Sequence, residues 1–195
     1  LGALGALGCY SFHDTKNVTS GQGGALIVRD AKYFDAAEII REKGTNRRKF
    51  LQGLVDKYTW VSVGSSYVLS ELNVAYLLPQ LERLDQINGK RGEICAVYAA
   101  ELGPSLARRE TRILAPPAYN TPNYHMFALL FPRAEMRNEF IAHMKAAGVT
   151  CPFHYVPLHT SPQGLSFQPD GKPDHLPGCD RIAGQLVRLP LYYNM

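Results

Sequence analysis

Lys16 closes the stretch CYSFHDTKN and runs at once into the hydroxyl- and glycine-rich VTSGQGG. A lysine amine forms a Schiff base with a carbonyl when its surroundings favour the neutral amine. Most lysines are solvated surface side chains, and this one lies in a loop. Its neighbours set it apart: Ser11 stands five residues earlier at the end of an apolar run, and Thr15, Asn17, Thr19 and Ser20 crowd the same turn, an array of small donors suited to a phosphate. A phosphate beside a lysine is what a pyridoxal phosphate site requires. Gly21, Gly23 and Gly24 belong to neither a GK[ST] nor a GxGxxG fingerprint and read as a tight turn between strands.

Two other constellations could do chemistry. Cys151, His154, His159, His175 and Cys179 offer sulfur and imidazole ligands with local C-x2-H and H-x3-C spacings. Their pairing matches no standard C-x2-C or H-x3-H arrangement, and Cys151 and His154 fall on a strand-like run with Phe153 and Tyr155, so no metal site is expected. The stretch NRRKF with Lys57, Tyr58 and Trp60 puts bases beside aromatics, which could pair with phosphates and stack on a nucleobase. That pattern suits a nucleotide-bearing ligand, against the plainer reading of a solvated basic loop.

The elements that must position these groups follow from periodicity. Residues 7–12 and 24–29 are apolar runs rich in strand formers and read as neighbouring buried strands. Phe34, Ala37, Ile39 and Ile40 recur at helical spacing, which predicts a helix over 31–43 with Gly44 as its stop. Residues 45–65 read as a long loop, a length that is usually functional or mobile. Ser70 and Glu71 open an apolar-periodic run to Leu81 in which Pro79 predicts a kink or break. A helix over 88–107 and the turn-rich linker APPAYNTPN follow. Beyond the linker come a strand in YHMFALLF, a helix from Arg133 to Ala147 ended by Gly148, and the strand-like CPFHYVPLH. A Gly- and Pro-rich loop over 162–178, a short helix and the strand-like RLPLYYNM complete the chain. Strand, helix, strand is the order of an α/β layer.

Composition bounds the rest. The 195 residues are 46% hydrophobic and 19% charged, which suits one or two globular domains. Net charge is +4, but cations and acids interleave except in REKGTNRRKF, so a nucleic-acid partner is not expected. The four cysteines are dispersed, form no CxxC pair and follow no secretory segment, which favours reduced thiols in a cytoplasmic protein. The apolar opening LGALGALG lacks a basic lead and is too short to span a bilayer, so neither export nor a membrane partner is expected.

At SFHDTKN with GQGGALIV, and again at REKGTNR, DKYTW, GSSYVLSEL, FHYVPLH and RLPLYYN, the chain resembles the DegT/StrS family of sugar-nucleotide aminotransferases along nearly its whole length. The resemblance implies an α/β fold of the fold-type I aminotransferase architecture, a homodimer, and pyridoxal 5'-phosphate as cofactor. Lys16 would form the internal aldimine, Ser11 would contact the cofactor phosphate, and Ser66 stands where the family places an asparagine against the phosphate of the neighbouring subunit. Gln22 stands in GQGG where the family usually has an acid. The chain would be the C-terminal half of the enzyme: residues 1–107 the end of the cofactor-binding large domain, 108–195 a small domain stopping before its last helix. The implied reaction is amination of a nucleotide-linked 4-keto-6-deoxy sugar with glutamate as amino donor. Asn46, Arg47 and Tyr58 in the long loop, with His154, Tyr155 and His159 further on, are candidates for lining the sugar-nucleotide cleft. The rival is a non-catalytic nucleotide-sugar-binding or regulatory fragment.

Overall fold

The computed structural model describes residues 2–195, which form two compact units dividing between Leu84 and Asp85. The boundary drawn from the sequence at 107/108 lies at the far end of the long helix that opens the second unit.

In the first unit, strands β1 (Leu7–Ser11) and β2 (Gly24–Val28) pair antiparallel, Leu7 opposite Val28 and Ser11 opposite Gly24. The expectation that they are buried is corrected: Leu7 and Leu26 are about half exposed, because a two-stranded ribbon presents two faces and this unit supplies no layer to cover them. A 3₁₀ turn at Ala31–Tyr33, capped by the Asp30 side chain, leads into helix α1 (Phe34–Arg41). The chain leaves that helix through Lys43 and Gly44, both left-handed. The predicted 45–65 loop contains a short helix, α2 (Arg47–Leu51), whose Arg, Lys and Leu are good helix formers in a run too short to show a period. Helix α3 (Glu71–Glu82) starts as expected at Ser70, whose hydroxyl accepts from the Asn73 N–H at 3.3 Å. Pro79 is accommodated inside it, and the break falls after Glu82.

The second unit opens with helix α4 (Leu84–Arg108) and builds an antiparallel sheet in the order β3 (Arg112–Leu114), β4 (Phe127–Leu130), β5 (Leu186–Leu189). The central strand β4 is buried on both faces. On one face Phe127, Leu129, Val187 and Leu189 pack with Cys151 against Cys95, Tyr98, Leu102 and Leu106 of α4 and Met136, Phe140 and Met144 of α5 (Ala134–Ala146). On the other, Ala128, Leu130 and Leu186 form a smaller cluster. The connection between β3 and β4 is pinned by the buried Arg91, which donates to the Tyr124 and His125 carbonyls at 2.8 and 2.6 Å.

Three readings are corrected in this unit. CPFHYVPLH is not a strand: Pro152 and Pro157 cannot donate, and its tie to the sheet is the Arg188 N–H to the Pro152 carbonyl at 2.9 Å, followed by a 3₁₀ turn at Leu158–Thr160. The loop over 162–178 holds helix α6 (Pro162–Ser166), capped by Ser161, before α7 (Pro177–Gln185). The last strand begins at Leu186 and ends at Leu189, so most of RLPLYYNM lies beyond it.

Candidate active site

The turn carrying Lys16 is held at both ends. Ser11, the last residue of β1, accepts the His13 N–H on its hydroxyl at 3.3 Å, and the Lys16 N–H closes the turn onto the His13 carbonyl at 3.0 Å. The His13 ring contacts Thr15 Oγ1 at 3.1 Å and the Asp14 carboxylate at 2.6 Å. After the turn, Val18 and Ser20 are buried, and Thr19 and Ser20 both direct their hydroxyls at the Phe12 carbonyl. Helix α3 then grips the strand-like exit: the Gln80 amide accepts the Thr19 N–H at 3.1 Å and donates to the Thr19 carbonyl at 2.8 Å, while Asn73 donates to the Ser20 carbonyl at 2.5 Å. Gly23 has φ +147°, and a Cβ there would sit 2.6 Å from the Leu69 side chain, so GQGG lies flush against the start of α3.

Lys16 is exposed, and its amine has no hydrogen bond or ion pair among the described residues. The donor set fits pyridoxal phosphate. An amine without a carboxylate partner is available for condensation with an aldehyde, and the Ser11 hydroxyl, which accepts from His13, still has its own proton to give to a phosphate oxygen.

Ser66 belongs to a different substructure. It bridges to Glu42 just after α1, in a hub centred on Gly44. The Gly44 carbonyl accepts from both Val61 and Ser62 N–H groups, at 2.8 and 2.9 Å, and its own N–H donates to Ile39 at 2.8 Å. With φ +74°, and a Cβ that would fall 1.7 Å from the Ser62 carbonyl oxygen, only glycine fits. Gly44→Ala is expected to cost upwards of about 2 kcal/mol, from left-handed backbone strain plus the displaced loop. A lowered urea midpoint, with faster proteolysis within 45–66, is the result that checks it.

The long-loop candidates are engaged with their own chain. The Asn46 amide donates to the Lys57 carbonyl at 3.1 Å and accepts the Thr59 N–H at 2.8 Å, closing the loop across its base. Arg47 pairs with Glu42 at 3.1 Å, Arg48 with Glu38 and Lys49 with Asp35 at 2.6 Å. The basic run is therefore neutralised by Asp35 and Glu38 of α1 and by Glu42 just after it, although exposed pairs of this kind contribute little to stability. Asn46, Arg48 and Lys49 line a cleft of about 470 Å³ with Leu26, Val28 and Phe34. Tyr58 is exposed and leans on Phe50 with ring centroids 6.4 Å apart.

In the second unit, Tyr155 lines a groove of about 550 Å³ with Phe153, Arg137, Asn138 and Asp180. His159 is buried at its rim, Nε2 3.0 Å from Asp180 Oδ1 at angles that are not those of a hydrogen bond. His154 stacks edge-on with Tyr155, centroids 4.5 Å apart. Burial, and secondarily the Arg188 guanidinium, hold its pKa below the ordinary 6.5. A histidine whose native pKa is depressed leaves the unfolded chain binding more protons. Its contribution is therefore full above pH 6.5 and is lost as pH falls through that value towards the native pKa. Urea midpoints measured from pH 7.5 down to 5.5 are expected to fall, and His154→Gln to flatten that fall. Burial likewise raises the thiol pKa values of Cys95 and Cys151.

Sequence reasoning missed the Gln80 and Asn73 grip on the lysine turn; nothing in the local pattern of α3 distinguishes them from other polar positions on a helix. It also missed Arg137, which lines the groove beside Tyr155.

A lysine on a clamped turn, on a chain of this α/β build, is compatible with a pyridoxal phosphate enzyme, and comparison with known proteins supplies the class. The whole chain, residues 1–195, matches the DegT/DnrJ/EryC1/StrS aminotransferase family, and it belongs to that family. It is 29% identical over 194 residues to the dTDP-3-amino-3,4,6-trideoxy-alpha-D-glucose transaminase of Streptomyces venezuelae, covering 98% of this chain and 46% of that protein. It is 27% identical over 194 residues to the pleiotropic regulatory protein of Geobacillus stearothermophilus, covering 98% and 48%. Among solved structures, the aminotransferase TlmJ from Streptoalloteichus hindustanus superposes with a TM-score of 0.82 at 26% identity, over all of this chain and 49% of that one. The chain thus spans about half the length of the relatives it matches. Its fold is that of part of a fold-type I sugar aminotransferase, and family membership carries pyridoxal 5'-phosphate with it as cofactor.

Proposed function

We propose that the enzyme to which this chain contributes transfers an amino group from glutamate to a nucleotide-linked 4-keto-6-deoxy sugar, a reading that follows the chain's resemblance to dTDP-4-amino-4,6-dideoxygalactose transaminase. The observation that carries it is the Lys16 amine, unpaired on a turn clamped by Ser11, Thr19 and Gln80. The bound cofactor supplies an electron sink for the carbanion formed next to nitrogen. Everything else is the work of side chains. Ser11 would donate a hydrogen bond from its hydroxyl to the phosphate and so fix the cofactor relative to the turn, and Ser66 would offer a second hydroxyl for the phosphate held by a neighbouring subunit. Lys16 Nζ takes the proton from the donor's α-carbon and returns one later in the half-reaction. Asn46, Arg47, Tyr58, His154, Tyr155 and His159 remain the candidates for contacting the sugar nucleotide. We assign residues 1–107 to the large domain and 108–195 to the small domain of a cytoplasmic homodimer.

The test is covalent trapping. Full-length enzyme with pyridoxal phosphate is expected to show a visible band, and borohydride reduction followed by peptide mapping to leave the adduct on Lys16. Absence of that adduct would remove the catalytic reading and leave the second one, a nucleotide-binding regulatory module, which the similarity to a pleiotropic regulatory protein favours.

A further inference from the structure

The turn that carries Lys16 also holds an imidazole with three partners on one nitrogen. His13 Nδ1 lies 3.3 Å from the Thr15 backbone nitrogen, 3.1 Å from Thr15 Oγ1 and 2.6 Å from Asp14 Oδ1. A ring nitrogen accepts through its lone pair or donates through its proton, never both. The Thr15 N–H can only donate, so its contact requires a bare Nδ1, with the ring proton on Nε2. The Asp14 carboxylate can only accept, so its contact requires a proton on Nδ1. The Thr15 hydroxyl suits either state, because it both donates and accepts. In the neutral ring both Thr15 groups favour the bare nitrogen, and the carboxylate, largely exposed to water, gains most once the ring is charged.

The choice between these partners acts on the turn itself. The Lys16 N–H closes it onto the His13 carbonyl at 3.0 Å, and Thr15 is its third residue, directly before the lysine. The Thr15 amide takes no part in that closing bond, so Nδ1 ties it as the side chain of an Asx turn would. Asp14 and Lys16 are the other titratable groups of the turn. Helix α3 grips its exit through the uncharged Asn73 and Gln80, and the GQGG stretch meets Phe12 through the Gly23 carbonyl. We propose that His13 is a proton-controlled positioning residue for Lys16: with Nδ1 bare it ties the Thr15 amide and holds the turn, and with Nδ1 protonated it passes to Asp14 and releases that amide. The bearing on Lys16 rests on the transaminase reading; the exchange of partners within the turn does not.

The test is amide hydrogen exchange at Thr15 in the full-length enzyme at about pH 5.5 and about pH 8, the range over which imidazoles change charge. The wild type is compared with His13→Asn, whose side-chain oxygen accepts at every pH, and with His13→Leu, which offers no acceptor. The rate at which borohydride traps pyridoxal phosphate on Lys16 is measured at the same pH values. Taking the ratio to His13→Asn at each pH cancels the intrinsic pH dependence of exchange. Wild type and His13→Asn are expected to exchange alike at the higher pH. At the lower, the wild type is expected to exchange about 2- to 10-fold faster, the factor that one hydrogen bond of ordinary net strength gives. His13→Leu is expected to exchange faster at both, and trapping to slow wherever exchange quickens. A wild type that tracks His13→Asn at both pH values overturns the proton control, and one that tracks His13→Leu at both overturns the tie. A step in exchange with no matching step in trapping overturns the positioning role. A step in exchange with no adduct on Lys16 in any variant overturns the transaminase reading alone. Should His13→Leu fail to fold, His13→Asn, with its unfolding midpoint expected unchanged, still decides between these outcomes.

Discussion

Replacing Lys16 by alanine in the full-length enzyme is expected to abolish the borohydride-trapped adduct and the turnover of sugar nucleotide while leaving the unfolding midpoint essentially unmoved. The two halves of that expectation have separate causes. Proton transfer by a positioned amine is worth on the order of 10²–10⁴-fold, and in the proposed role Lys16 would also supply the attachment point, so activity should fall by at least that factor. Stability should not follow it. The side chain is exposed, its amine holds nothing among the described residues, and the turn is fixed by backbone bonds and by Ser11, Thr19 and Gln80, none of which alanine disturbs. An exposed substitution of this kind falls within about 0.5 kcal/mol. The checks are reduction and peptide mapping, a turnover assay, and a urea melt on the same preparation.

The largest stability effect is expected at Leu129→Ala. Leu129 is 1% exposed at the centre of β4, opposite Val187 at 0%, with α4 and α5 packed over the pair. Because strand and helices close around it, the site cannot collapse into the space left by the lost side chain, and the cost is expected at about 3–4 kcal/mol. A urea melt that shows a shifted midpoint with an unchanged slope checks it. A comparable truncation at Leu72 on α3, 84% exposed, should cost far less in this chain.

How far the sequence was legible depended on how local the signal is. The Lys16 turn stands out because a lone amine among hydroxyls and glycines after an apolar run is written in consecutive residues, and the family was legible from that stretch together with REKGTNR, DKYTW, GSSYVLSEL, FHYVPLH and RLPLYYN. The helices around Phe34 and Leu72 were readable by period, and the one from Arg133 by its Gly148 stop. What failed was information carried by distant partners. The strand-like run from Cys151 to His159 has alternating aromatics but also Pro152 and Pro157, and the prolines decide the outcome. Strand β3 is three residues long and exists because β4 lies beside it. Arg47, Arg48 and Lys49 read as free cations, yet their carboxylates sit on α1 and at Glu42 just after it, where only folding brings them within reach. The burial expected of β1 and β2 followed from their apolar composition, which says what a strand can bury and not which layer will cover it.

The order of strands in the second unit sets a schedule for its folding. Strand β4 can meet β3 across a short linker, but its other edge is sealed only by β5, and the whole stretch from Phe131 to Gln185 intervenes. Closing so long a loop is entropically costly, and rates fall as contacts become less local. During synthesis the Leu129 face therefore stays open on one side until Leu189 has left the ribosome. In that interval α4 and α5 can cover the nascent strand, while its unpaired edge remains the part of the chain most apt to pair with another molecule.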